Sequence, residues 1–145
     1  MKIYISKDQP SNELGYTWVS SIRTLDAMVQ DSEATSIIVD DFLSSVRIEE
    51  TGNLLLGIVK KMRIGSEIIF YQRDIDLICH EYARGSFNLE EFNRLVFSGD
   101  RVNSVFNLDI LCNSLKTLNL NIESKQLNHK NFQGVVKARR VKNGN

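Results

Sequence analysis

Two adjacent carboxylates, Asp40 and Asp41, follow the apolar run Ser36-Ile37-Ile38-Val39. In open sheets of alternating strands and helices, ligands bind outside the carboxyl ends of the strands. A carboxylate there is placed to accept from an amine or from sugar hydroxyls. The same pair also fits a plainer role, in which one closes the turn and the other faces solvent. Lys7 and Asp8 follow a second β-rich run, Ile3-Tyr4-Ile5-Ser6, and line either the same crevice or a surface turn. His80 lies beside Cys79 in a helical pattern, and acid–base work there requires a carboxylate turned toward the ring. His129 falls in a polar turn and reads as solvated. Cys79 and Cys112 occupy apolar helical positions and read as buried free thiols. They have no zinc-ligand spacing with each other or with histidine, so no metal is expected. Tyr4, Tyr16, Trp18 and Tyr82 suit either a stacking surface or core packing. Lys137, Arg139, Arg140 and Lys142 read as a charged edge strand that blocks aggregation, or as a contact for phosphate or an acidic partner. No Ser-His-Asp order or phosphate loop is present.

The elements that must position these groups alternate. Met1 to Ser6 reads as a first strand, Lys7 to Glu13 as a polar turn, and Gly15 to Ser20 as a second short strand. Ile22 to Gln30 is a weak helix or an irregular crossover. Ser36 to Val39 is apolar on both faces, which predicts a central, parallel strand. Leu54, Leu55, Ile58, Val59 and Met62 recur at helical spacing and predict a helix over Glu49–Met62, with Gly65 as its left-handed stop. A buried strand over Ser66–Tyr71 follows. Asp74, Asn88 and Asn107 are positioned to cap three further helices, over Ile75–Arg84, from Leu89, and over Leu108–Leu118. Asn119–Ser124 and Phe132–Arg139 then form a hairpin around the polar turn Gln126–Asn131. The prediction is an α/β fold: a three-layer, mostly parallel sheet with one antiparallel strand inserted near its edge, a C-terminal antiparallel hairpin and helices on both faces.

The 145 residues fit one domain, over residues 1–140, with a polar tail at 141–145. Eighteen basic side chains balance eighteen acidic ones, which argues against a general nucleic-acid or anionic-membrane binder. No apolar run approaches the ~20 residues of a membrane span, and the expectation is a soluble cytoplasmic protein.

This layout resembles that of class I S-adenosylmethionine-dependent methyltransferases. Val39 to Val46 resembles a family segment ending in Leu-Glu-His, here replaced by Leu43-Ser44-Ser45. Leu54 to Phe70 is similar to the family's helix, glycine turn and following strand. Asp74 to Gly85, Leu89 to Phe97 and Gly99 resemble a helical insert of one uncharacterised branch. The resemblance implies that any cofactor would lie against Ser6, Lys7, Ser20, Asp40, Asp41 and Phe42. It also implies a glycine-rich loop after the first strand, where this chain has Lys7-Asp8-Gln9-Pro10, and an acidic residue after the second, where Ser20 and Ser21 stand. The family's helix before the first strand has no counterpart in this sequence. The expectation is a degenerate, N-terminally truncated methyltransferase-like domain that binds no cofactor and acts as a non-catalytic subunit or binding module. Its expected partner is a second copy or a methyltransferase. The alternative is an active, reduced enzyme that binds S-adenosylmethionine in an atypical loop, completed by a partner or by dimerisation.

Overall fold

The structure, a computed structural model, describes residues 1–11, 15–97 and 102–142. In chain order its elements are β1 (Lys2–Ile5), β2 (Thr17–Val19), α1 (Ile22–Met28), β3 (Ala34–Asp40), α2 (Thr51–Lys61), β4 (Met62–Arg73), α3 (Ile75–Ala83), α4 (Leu89–Phe97), α5 (Leu108–Lys116), β5 (Leu120–Asn128) and β6 (Gln133–Arg140). Short 3-10 turns at Leu43–Ser45 and Ile48–Glu50 link β3 to α2. One six-stranded sheet runs β2-β1-β3-β4-β6-β5. The first four strands are parallel, and β6 lies antiparallel between β4 and β5. This is the expected mixed α/β sheet, with β3 in the central position its apolar run predicts. Gly99 and parts of the turn at 7–13 and of the tail lie outside the described residues.

The sheet register sorts side chains by face. Ile3, Ile37, Ile68 and Ala138 form one row, and Ile5, Val39, Phe70 and Val136 the next. Both rows are buried, under Leu25 of α1, Leu55 and Ile58 of α2, and Leu111 and Leu115 of α5, in one continuous core. The opposite face carries Trp18, Tyr4, Ile38, Ile69 and Lys137 in one row, with Tyr71 and Val135 beyond. There Trp18, Ile69, Tyr71 and Val135 are only half-buried. The buried residues of α3 and α4, Leu77, Ile78 and Val96, stand outside the main core. Ile78 and Val96 gather around Gln72 and Arg73 at the carboxyl end of β4. The layers are therefore unequal, with the long apolar stripes of α1, α2 and α5 sharing one face.

Local chemistry explains most element ends. Asp74 accepts from the Leu77 amide at 2.9 Å, Asn88 from Glu91 at 2.9 Å and Asn107 from Ile110 at 2.8 Å, so all three expected caps form. Gly85, at φ 80°, closes α3 as expected, its amide donating to the Tyr82 carbonyl while the Ser86 amide donates to Glu81. Six expectations are corrected. Helix α2 stops at Lys61, because fully buried Met62 already turns extended to pair with Ala34. Gly65, at φ 87°, instead lies where β4 loops out between its pairings with Ala34 and Ser36. Helix α5 ends at Lys116, with Asn119 left-handed at φ 61° before β5. Strand β5 continues through Gln126-Leu127-Asn128, so the hairpin turn is confined to residues 129–132. Strand β6 is interior, so Lys137 and Arg139 are not on an edge. They bind Glu67 across the ladder, and Arg139 also binds Glu123. Cys112 is buried but Cys79 is exposed, one step past the Leu77–Ile78 stripe.

Candidate functional site

The carboxyl ends of β1, β2 and β3 meet where the strand order reverses, the place at which open α/β sheets form their crevice. Ser6, Lys7, Phe42 and Asp40 are engaged there within the chain. The Ser6 amide donates to the Val19 carbonyl at 3.2 Å, and its carbonyl accepts from the Trp18 indole at 3.2 Å. Its buried hydroxyl donates to the Asp8 carbonyl at 2.6 Å. Lys7 holds its ammonium 4.9 Å from the centroid of the buried Phe42 ring, a cation–π contact. Asp40 accepts from the Tyr4 hydroxyl at 2.6 Å.

Asp41 has the most elaborate setting. Its backbone is left-handed at φ 47°, which Asp tolerates better than most residues, and its amide donates to the Tyr71 carbonyl at 2.6 Å. One carboxylate oxygen accepts from the Gln72 amide group at 3.1 Å, and the other pairs with the Arg73 guanidinium at 3.0 Å. Burial raises the proton affinity of this carboxyl above its ordinary value, and the Arg73 charge partly opposes that. Arg73 also donates to the Leu95 carbonyl, tying α4 to the strand end. Gln72 is itself buried, and its Oε1 lacks a hydrogen-bond partner. Neither carboxylate is the solvated one of the plainer role: Asp40 is paired with Tyr4, and Asp41 with Gln72 and Arg73. Ser20 is half-buried beside Ser21, which caps α1 by accepting from the Thr24 amide at 3.1 Å.

Next to this crevice a cleft of about 380 Å³ opens between Lys7, Ser21, Ile22, Phe42, Val46 and Leu54. A second cleft, of about 350 Å³, brings His80 and His129 together with Asp76 and Asp109. Sequence reasoning placed these histidines on separate elements, and only the return of β5 alongside α5 unites them. Among the described residues no group of three or more His, Cys, Asp or Glu is arranged to hold a metal ion. No described helix is long and apolar enough to cross a membrane.

No protein-family model matches the chain, and no curated protein matches its sequence. Solved structures do match its fold. A putative methyltransferase from Haloferax volcanii, in complex with the Trm112 methyltransferase activator, superposes with a TM-score of 0.63 at 5% identity over 93% of this chain and 65% of that one. A SAM-dependent methyltransferase from Thermotoga maritima, a possible histamine N-methyltransferase, gives 0.60 at 10% over 87% and 65%. The magnesium protoporphyrin IX methyltransferase of Synechocystis PCC 6803, with bound SAH, gives 0.55 at 13% over 86% and 51%. The chain spans about half to two-thirds of the length of these structures. Its fold is that of class I methyltransferases, as the sequence resemblance implied.

Proposed function

We propose that this chain is a methyltransferase-fold domain that has given up cofactor chemistry and serves as a non-catalytic subunit or binding module. The observation that carries the reading is the carboxyl end of β1, where the Ser6 backbone and hydroxyl are used internally and Lys7 is held over Phe42. A cofactor's methionine part needs close backbone approach there, which glycine allows and these side chains obstruct. At the end of β2 no carboxylate meets the ribose hydroxyls, and Ser21 is committed to capping α1. Each lost charge-assisted bond is worth roughly 1.5–3 kcal/mol. Losing the loop contacts and the acidic acceptor weakens a micromolar site by on the order of 100-fold or more.

The residues present therefore do not fit S-adenosylmethionine. Calorimetric titration with S-adenosylmethionine and S-adenosylhomocysteine is expected to show no saturable binding below roughly 100 micromolar. Tight, saturable binding would overturn the reading. A second reading, an active reduced methyltransferase completed by a partner, is favoured by one observation: the cleft of about 380 Å³ beside Lys7 and Phe42. The same titration decides between them. As a binding module the protein works with a second copy of itself or with a methyltransferase.

A further inference from the structure

We infer that the small cavity at the carboxyl end of β4 is a binding site for one ordered water molecule, held by the side-chain oxygen of Gln72. The inference stands apart from the binding-module reading and holds or fails without it.

Gln72 is the residue that calls for a ligand. It follows Ile68 and Phe70 on the core side of β4 and is only 3% exposed. Its amide nitrogen is spent on Asp41, at 3.1 Å. Its Oε1 meets no donor from the protein. Turning the amide over brings no relief. That oxygen would then face the Asp41 carboxylate, and the amide N–H groups would be left unmatched instead. Buried side-chain oxygens in native proteins nearly always have a partner, either a protein group or an ordered water.

The surroundings supply the room. Gln72 and Arg73 line a cavity of about 20 Å³ together with Ser44, Ser104 and apolar side chains of α3 and α4, among them Ile78 and Val96. One water needs about 10–15 Å³ of such space, so the cavity admits one molecule and not a chain of them.

The chemistry of the walls selects the occupant. An amide oxygen only accepts, so the ligand must donate. The Ser44 hydroxyl donates to the Asp41 carbonyl at 3.1 Å, and the Ser104 hydroxyl donates to the Leu43 carbonyl at 3.0 Å. Each serine oxygen keeps its capacity to accept. A water has one hydrogen for Gln72 Oε1 and a second for a serine, which gives it two protein partners, within the usual range for buried water. An ammonium ion also donates, but the Arg73 guanidinium lines the same cavity and the remaining walls are apolar, so a second cation would be both repelled and desolvated. The water thereby joins the end of β4 to the turn after β3 and to the segment that leads into α5.

The test is a high-resolution crystal structure of the whole chain, repeated under xenon and for Gln72→Met, which keeps the length of the side chain and removes its amide. The wild-type map is expected to show one peak about 2.7–3.0 Å from Gln72 Oε1. No xenon is expected there, and the peak is expected to be lost in Gln72→Met. A wild-type map without that peak would overturn the inference. So would xenon in the cavity, since xenon enters sites that are dry and apolar. A peak that persists in Gln72→Met would show that the amide does not hold the water, and would overturn it equally. If Gln72→Met fails to fold, the two wild-type maps decide alone.

Discussion

Asp41 holds a carboxylate in a place where burial makes the proton welcome. Its folded-state proton affinity is raised from the ordinary value of 3.8, chiefly by desolvation, with the Arg73 charge pulling the other way. Between that value and the raised one, the native state binds more protons than the unfolded chain, so the contribution of Asp41 to stability falls as pH rises through the window. Asp41→Asn removes the titration. The stability of the wild type relative to the variant is therefore expected to be greatest below about pH 4 and to shrink as pH rises, in urea melts at about pH 3.5, 5 and 7. A gap that widens with pH would mean that the Arg73 pairing dominates. The strand-end position of both carboxylates was legible in the sequence, because an apolar run followed by two acids is a local pattern. Their partners were not. Tyr4 and Arg73 are brought to Asp40 and Asp41 by strand pairing at long range, which no spacing along the chain encodes.

At the scale of elements, Asp74 shows how much a single cap can do. One carboxylate oxygen accepts from the Leu77 amide at 2.9 Å, starting α3, and the other accepts from the Leu108 amide at 2.7 Å, at the start of α5. The residue is buried and both bonds are charge-assisted, so removing the carboxylate strips the cap from two helices at once. Asp74→Ala is expected to cost about 2–4 kcal/mol by urea denaturation, more than a solvent-exposed single cap. Asp74→Asn should recover part of that loss. The first of these bonds was readable in advance, as were the caps at Asn88 and Asn107, because capping acts over three residues. The second joins elements far apart in sequence and was not. Gly65 misled for a similar reason. Basic residues followed by glycine do end many helices, but the burial of Met62 and its pairing with Ala34 turned the chain into a strand sooner.

At the scale of the molecule, the core divides stability unevenly. Leu77, Ile78 and Val96 lie outside the cluster that joins α1, α2 and α5 to the sheet. The α3–α4 unit is therefore expected to open locally before the sheet does. Hydrogen exchange should show amides of residues 75–97 exchanging well ahead of those in β3 and β4, and equal protection would refute a separate unit. The sheet and its strand directions were legible because a short two-sided apolar strand such as Ile37-Ile38-Val39 has few places to go. The unequal cover of its faces was harder to foresee, since the face on which each helix packs is set by long-range contacts. The insertion of one antiparallel strand near the edge was legible from the layout, but not which residues of the hairpin would lie inside, for strand order is a property of pairing rather than of any segment.

That interior place sets a timetable for synthesis. Strand β5 pairs only with β6, so until residues 133–140 leave the ribosome neither the hairpin nor the far side of β4 can close. Roughly 60 residues separate the end of β4 from the start of β6, on the order of 3–12 s of translation at ~5–20 residues per second. During that interval the parallel half of the sheet can assemble while the long β4 edge stays unpaired, a template for neighbouring nascent chains on the same message. The last strand then arrives as a wedge, and the Arg139 and Arg140 guanidinium groups bolt it to the carbonyls of Gly65 and Met62.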